Sequence, residues 1–258
     1  MVISLPQVEI FLLILARVAG LFIEAPILSA KSIPTTVKVC LAIWVSTVLW
    51  FVVPVRALPD SMLTFSIAIF IEVFIGFIIG YVSALVIQSA QAAGDILDMQ
   101  MGLSIANVLS PTTGQMTSIT GTLMFMIALI AFLLVNGHHM VFSAIHQSFV
   151  AIPIITFIDF SKPGLLLQML DLLKFFWIST VQLCAPMLLL IFLSDFAFGI
   201  VSRVAPQVNV FMLGFQVKPS LGMFGLVLIA PLIINHITTL IGTMGNQIAQ
   251  TLFILSGR

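Results

Sequence analysis

The residues best suited to chemistry form a short polar row before the middle of the chain. Gln88, Gln91, Asp95 and Asp98 recur at spacings of three and four residues, which places them on one face of an α-helix. Two carboxylates on one face could support acid–base or proton-relay chemistry. No nucleophile, base or metal ligand accompanies them. The pattern therefore favours a hydrated polar helix face, a wet stripe, that lines a lumen.

A histidine cluster offers a second possible chemistry, a zinc site. His138 and His139 are adjacent and His146 lies eight residues after His138. Adjacent side chains on a helix point in different directions, and no Cys, Asp or Glu lies near. Structural hydrogen bonding therefore fits better than a metal. The chain also has no GxSxG or HExxH motif. We therefore expect that the protein is not an enzyme and that it has no catalytic residue, no bound metal and no cofactor.

The polar row runs into the most unusual stretch of the chain, Gly94 to Thr122. Apolar runs flank it, yet its own residues are small and polar, and no acid, lysine or arginine occurs between Asp98 and Asp159. Pro111 and Gly114 disfavour regular structure through its middle. Irregular backbone at membrane depth is tolerated only inside protein or along a watery cavity, so we expect one of those settings.

The composition indicates a membrane protein. Of 258 residues 61% are apolar and 7% are charged, with a mean hydropathy of +1.27, whereas soluble domains are about 25% charged. The net charge of zero gives no case for nucleic acid binding. Cys40 and Cys184 lie in apolar runs, which predicts free, buried thiols. Without an internal repeat or a charged linker, residues 1–258 form a single domain.

The apolar runs predict six or seven long, partly broken helices arranged as membrane-associated hairpins. The run from Val39 to Val53 is short for a span, which needs about 20 residues. The run from Met62 to about Ala93 is long, so it either breaks near Gly76 or Gly80 or extends beyond the bilayer. Further runs cover Val8–Ile23, Leu123–Val135, Leu165–Phe198 with a kink at Pro186, and Leu221–Leu255, which Pro231 divides into a hairpin or two helices. Basic loop residues show no one-sided bias, so the membrane orientation is not determined.

Isolated charges in the apolar runs need partners. Arg17 and Glu24 share a helical stripe with Glu9, which is consistent either with a local ion pair or with a contact to another subunit. Glu72 has no basic residue near it in sequence, so its partner lies on another segment or another chain.

The connector from Ser202 to Lys218, SRVAPQVNVFMLGFQVK, closely resembles the signature of the R subunit of the type III secretion export gate, the FliR family with its injectisome counterparts. Four more segments match in the family's order: ARVAGLFIEAPILSAKSIPTTVKVCLA, EVFIGFIIGYVSAL, AGDILDMQMGLSIANVLSP and NGHHMVFSAIHQSF. The overall likeness is greater to the flagellar form than to the injectisome form.

The resemblance implies an all-α subunit of a closed helical hetero-oligomer, with one copy of R beside about five copies of FliP and about four of FliQ. It implies a P-like part over about residues 1–160 and a Q-like part over 161–258. Further implied partners are FlhA and FlhB, exported flagellar proteins in transit, and membrane lipid. The implied location is the bacterial inner membrane at the flagellar basal body, with much of the subunit on the periplasmic side.

The resemblance also implies a plug, a loop that blocks the central pore. It maps onto Ser104, Asn107, Ser110, Pro111, Thr112, Thr113, Gly114, Gln115 and Met116. The charges, small residues and connector together give candidates for contacts to other subunits. These candidates are Glu9, Arg17, Glu24, Glu72, Gly76, Gly80, Arg203, Pro206, Gln207, Asn209 and Lys218.

These observations favour a structural and gating subunit of a protein-export channel. The alternative is a secondary transporter with a substrate site near the bilayer midplane, since broken helices and intramembrane charges suit it as well. Stoichiometry separates them, because a transporter purifies alone or as a symmetric oligomer.

Overall fold

The computed structural model describes residues 5–30, 32–53, 61–104, 118–156 and 163–256. Within these ranges the secondary structure consists of seven α-helices and no strand. They are α1 (Leu5–Glu24), α2 (Thr35–Trp50), α3 (Met62–Met101), α4 (Ile119–Leu134), α5 (Gly137–Ala151), α6 (Pro163–Val204) and α7 (Val210–Leu255). The expected all-α class and the expected number of helices are confirmed.

Local chemistry accounts for several helix ends. Gly102, at φ 81°, follows α3 in the left-handed conformation that commonly ends a helix. Asn136 takes the same conformation, at φ 59°, and separates α4 from α5. Asn209 begins α7, because its Oδ1 accepts a hydrogen bond from the backbone N–H of Met212 at 3.3 Å.

Two helices are longer than the sequence predicts. The first, α3, continues through Gly76 and Gly80 for 40 residues, about 60 Å at the usual rise, so of the two predicted alternatives the helix is unbroken and longer than a bilayer core. The second, α7, is one helix of 46 residues that contains Pro219 and Pro231, and the prediction of a hairpin or two helices is wrong. A proline deletes one backbone hydrogen bond, and long apolar helices tolerate that loss where neighbouring groups satisfy the freed carbonyl.

Four of the described helices are long and apolar enough to cross a membrane, or up to five if the broken pair α4 and α5 counts as one span. The four are α1, α3, α6 and α7. Helix α2 is apolar but shorter. The chain is therefore an all-α membrane protein.

The helices form two compact units, each built from segments distant in sequence. Unit 1 comprises Met1–Leu85, Leu133–Lys174 and Ile241–Arg258, and unit 2 comprises Val86–Phe132 and Phe175–Leu240. This division by compactness does not address likeness to other subunits, so the P-like and Q-like parts stay a prediction.

Each unit has its own apolar core. In unit 1, Leu13, Ile75 and Ile145 have no more than 1% of their surface exposed, and Phe11 of α1 packs edge-on against Trp50 of α2. In unit 2 the most buried apolar side chains include Met101, Met124, Met187 and Ile237. Both cysteines are free, but only Cys184 is buried. The prediction of a buried thiol is wrong for Cys40, because it lies on the outer face of α2.

Candidate functional site

The end of α3 and the start of α4 meet at a carboxylate in unit 2. Asp98, 2% exposed, accepts a hydrogen bond from the Ser118 hydroxyl at 2.7 Å. It also accepts from the backbone N–H of Thr120, which lies 3.2 Å from each carboxylate oxygen. The first N–H groups of a helix lack partners within the helix and carry partial positive charge. Asp98 therefore completes the N-terminus of α4 from a different helix.

Ser118 is the residue that links this carboxylate to the helix. Its hydroxyl donates to Asp98 and accepts from the backbone N–H of Gly121 at 2.8 Å. Its carbonyl accepts from the N–H of Thr122 at 3.1 Å, the first turn of α4. Ser118 thus acts as the N-cap of α4, and both of its oxygens are used.

A backbone contact reinforces the junction. A Cβ added to Gly94 would lie 2.5 Å from the Cα of Gly121 and 2.6 Å from the carbonyl oxygen of Thr120. No real side chain fits at that distance. The two helices approach this closely because both facing positions are glycine.

Helix α7 supports the same junction from another side. Met101, which is fully buried, packs against Gly222, and Gly102 faces the ring of Phe215, which an added Cβ would approach to 3.1 Å. Phe215 belongs to the connector motif, so two segments quoted separately from the sequence meet here. We call the group Asp98–Gly102 and Ser118–Gly121 the stem.

In the sequence, the two parts of the stem lie on either side of the predicted plug. Ser104 is half-buried. The other predicted plug residues, Asn107, Ser110, Pro111, Thr112, Thr113, Gly114, Gln115 and Met116, lie outside the described residues.

The expected wet stripe holds only in part. Gln91 and Asp95 are exposed, whereas Asp98 is buried and bonded as described. The interpretation of Asp98 as a lumen-facing carboxylate is wrong, since the start of α4 covers it.

Unit 1 contains a second polar cluster, centred on the fully buried Arg17. Its Nε donates to Glu72 Oε2 at 2.5 Å, and its two terminal nitrogens donate to the Ser148 hydroxyl and to the carbonyl of Ile152, each at 3.0 Å. The guanidinium also lies 4.0 Å from the centroid of the Phe149 ring, a cation–π geometry. The cluster joins α1, α3 and the end of α5.

Three glycines bring α1 and α3 together beside this cluster. Gly20 packs on the backbone of Val73, and Gly76 packs on the backbone of Arg17. A Cβ at Gly80 would lie 2.8 Å from the carbonyl oxygen of Leu21. The GxxxG of Gly76 and Gly80 is therefore occupied by a helix of the same chain.

These contacts change the set of proposed subunit contacts. Glu72 finds its partner on another segment, as expected, and that partner is Arg17 of the same chain. Arg17, Glu72, Gly76 and Gly80 are all buried inside unit 1, so we no longer propose them as contacts to another subunit. Glu9 and Glu24 are half-buried and remain proposals.

The connector between α6 and α7 exposes most of its polar residues. Arg203, Pro206 and Gln207 are exposed. Asn209 caps α7, and Lys218 forms an ion pair with Asp195 of α6. The first three stay available for contacts outside the chain, whereas the last two already have partners within it.

A cavity of about 230 Å³ lies between α6 and α7 in unit 2, beside Pro186. Its polar lining comes from Gln182, Asn235, His236 and Thr239. Among the other histidines, His138 and His139 have their ring centroids 4.4 Å apart. Within the described ranges His138 Nδ1 is buried without a hydrogen-bond partner, so structural hydrogen bonding is not supported at that atom.

The sequence interpretation missed the cap that Asp98 and Ser118 form. A serine directly before an apolar run is a signal for a helix N-terminus, and it was available at Ser118-Ile119. No acid follows three residues later, as it would in a capping box. The carboxylate comes from twenty residues upstream, which sequence spacing does not reveal.

Comparison with known proteins gives consistent matches. The chain matches the bacterial export proteins, family 1, over residues 8–244. The flagellar biosynthetic protein FliR of Bacillus subtilis (strain 168) is 28% identical over 244 residues, which cover 93% of this chain and 94% of that protein. FliR of Escherichia coli (strain K12) is 28% identical over 244 residues, 92% and 90% of the two chains. Yop proteins translocation protein T of Yersinia pestis is 30% identical over 172 residues, 64% and 63% of the two chains.

Proposed function

This chain belongs to the bacterial export proteins, family 1, and from that membership we propose that it is the structural and gating R subunit of a flagellar type III export channel. The coarser function, a component of a type III secretion export apparatus, follows from the family. The finer proposal is that one copy completes a core complex with FliP and FliQ and contributes a plug to the closed pore.

The exposed apolar surface supports a subunit that functions inside an assembly or a bilayer. In the most apolar window of α6 only 17% of the residues are buried. Phe192 and Phe196 of α6 and Phe224 and Val227 of α7 are each at least 64% exposed. Large apolar side chains exposed in this number along a helix face indicate a protein or lipid interface. We assign it to FliP, FliQ and membrane lipid, with FlhA, FlhB and exported flagellar proteins as further partners.

The proposed location is the inner membrane at the flagellar basal body, with much of the subunit on the periplasmic side of the bilayer plane. Such a position explains why α3, at 40 residues, is longer than a bilayer core of about 30 Å requires.

One observation supports the gating role more than any other. The chargeless stretch from residue 105 to 117 is flanked in sequence by the two parts of the stem, and the stem joins Asp98 to Ser118 by a hydrogen bond and Gly94 to Gly121 by a close backbone contact. A channel for unfolded polypeptide must retain ions when idle, and small uncharged hydrogen-bonding residues can fill a pore without trapping a passing chain.

Deletion of residues 110–115 tests this role. We expect the complex to assemble but to conduct ions when idle, because the deletion shortens the proposed plug and leaves the residues of the stem unchanged. The measurement is ion conductance across membranes that hold the gate, divided by the amount of assembled complex. Assembled deletion complexes that seal as well as wild type would show that this stretch is not the plug.

The secondary transporter remains the second candidate, and one observation favours it. The cavity beside Pro186 combines amide, imidazole and hydroxyl groups between two apolar helices, and polar groups set in an apolar cleft are typical of sites for small polar substrates. The intact mass of the purified complex decides between the two functions. One copy of this chain among copies of FliP and FliQ supports the export gate, and a pure or symmetric oligomer of this chain supports the transporter.

A further inference from the structure

We propose that the cavity beside Pro186 is a binding site for a cluster of ordered waters, held between α6 and α7 by His236, Thr239 and the backbone carbonyl of Gln182. All the residues that line the cavity belong to unit 2, and the inference does not depend on the proposed plug. It assigns a ligand, hydrogen-bonded water, to polar groups that neither the plug nor the stem uses.

The side chain of His236 provides the first observation. Its Nε2 atom is buried, and within the described ranges no group forms a hydrogen bond with it. An imidazole nitrogen either donates or accepts, and a buried polar atom is normally bonded to protein or to ordered water. His236 lines the cavity, so a molecule bound there can supply the missing partner.

The backbone at Pro186 provides a second, independent observation. Pro186 lies inside α6 and has no N–H group, so the carbonyl of Gln182, four residues earlier, loses its usual donor within the helix. Gln182 and Pro186 both line the cavity, as residues four apart on one helix face do. Ordered water is among the groups that satisfy a carbonyl freed by proline in an apolar helix. The cavity therefore joins a freed acceptor of α6 to an unpartnered nitrogen of α7.

The remaining polar groups and the volume suit water. The Thr239 hydroxyl donates to the Asn235 carbonyl at 2.9 Å, so toward the cavity it acts as an acceptor. The exposed side-chain amides of Gln182 and Asn235 add both donors and acceptors. A bound water needs about two to four polar partners and takes about 30 Å³ in the liquid. The cavity of about 230 Å³ therefore holds several waters.

Water fits these groups better than a hydrocarbon chain does. Leu183, Leu232 and Ile233 give the cavity an apolar wall, and a lipid chain could pack against it. Such a chain has no hydrogen-bonding group, so the nitrogen of His236 and the carbonyl of Gln182 would stay without partners. Cavities lined only by apolar groups stay dry, whereas polar ones are hydrated.

Hydroxyl-radical footprinting of the chain, purified in its native assembly, tests the proposal. A short X-ray pulse splits bound water in place, and the radicals modify the nearest side chains, while a scavenger in the bulk solvent removes radicals that form elsewhere. We expect scavenger-resistant modification of Leu183, Pro186 and His236, located by mass spectrometry. Met124 is the internal control, because it is fully buried in the same unit and methionine is readily oxidised. It should stay unmodified.

Two variants test which groups hold the water. His236→Phe keeps an aromatic ring but removes both nitrogens, and it should abolish the scavenger-resistant modification of Leu183 and Pro186. Thr239→Val keeps the shape of the side chain without its hydroxyl, and it should reduce that modification. The matched control is His146→Phe, which replaces an exposed histidine of α5 in unit 1 and should change nothing at the cavity.

The outcomes are decisive for water and separate from the proposed function. Wild-type protein without modification at the cavity overturns the inference, since a lipid chain, a small substrate or a side chain of a neighbouring subunit then fills the space. Modification that the scavenger removes also overturns it, because the cavity is then open to bulk solvent. Unchanged modification in His236→Phe overturns the role of His236. If the variants fail to assemble, the wild-type result decides alone. The intact mass, which tests the proposed function, has no bearing on these results.

Discussion

The buried ion pair of unit 1 gives the most quantitative prediction. In Glu72→Gln the size of the side chain is kept but its charge is removed. Arg17 is then left fully buried without a counter-charge, and its acceptors are all neutral: the new amide oxygen, the Ser148 hydroxyl and the Ile152 carbonyl. Removing one partner of a buried pair costs about 3–5 kcal/mol. Each kcal/mol corresponds to about 2–4 °C in a chain of this size, so we expect the melting temperature to fall by about 10 °C.

Replacing both partners should cost less than this. In Arg17→Met with Glu72→Met neither charge of this pair remains, and apolar pairs of similar volume often match a buried ion pair in stability. Ser148 keeps its own bond to the Ile145 carbonyl at 2.7 Å. Only the Ile152 carbonyl loses its donor, which costs about 1–3 kcal/mol.

Thermal unfolding of the detergent-solubilised complex, followed by the fraction that stays monodisperse, measures these differences. The control is Asp171→Asn, which removes the carboxylate of the exposed Asp171–Lys174 pair. Surface pairs contribute about 0–1 kcal/mol, so this variant should melt within about 2 °C of wild type. The reasoning is refuted if Glu72→Gln melts like Asp171→Asn, or if the double Met variant is less stable than Glu72→Gln.

Two further predictions concern the helix contact and the connector. Gly76→Ala forces a Cβ into the backbone of Arg17 and should lower the free energy of unfolding by about 1–3 kcal/mol. In Gly199→Ala the new Cβ would meet nothing within 4 Å, so this variant should gain up to about 1 kcal/mol of stability. The melting temperatures of the two variants test this prediction, and equal effects would contradict it. Arg203→Ala should reduce co-purification of the chain with FliP and FliQ, because Arg203 is exposed in the last turn of α6 and available to a partner carboxylate. Lys174→Ala, an exposed basic residue of the same helix, should leave recovery unchanged, and normal recovery with lost export in Arg203→Ala would count against the prediction.

Much of the fold could be predicted from the sequence. Apolar runs longer than a soluble helix needs, with few charges, determine both the all-α class and the membrane setting. The isolated charges Arg17 and Glu72 in their apolar runs indicated that partners were required, and Gly76 and Gly80 were among the candidates for close contacts. The helix boundaries were less well predicted, because the prolines of α7 were interpreted as breaks.

The candidate site was only partly predictable. The chargeless stretch after Asp98 was visible in the sequence, but the role of Asp98 was not. A carboxylate on an amphipathic face and a carboxylate that caps a second helix have the same local sequence. Ser118 lies twenty residues away from it, and the chain path in between decides whether the two meet.

The sequence by itself determined which residues needed partners, because an unpaired charge or a bare helix end is costly in an apolar medium wherever it lies. Only the tertiary structure decided which partners they have. Arg17 and Glu72 are 55 residues apart, and Gly76 could have faced another subunit as readily as α1. Pairing across such distances depends on how whole helices pack, and that packing is a property of the assembled core rather than of any local segment.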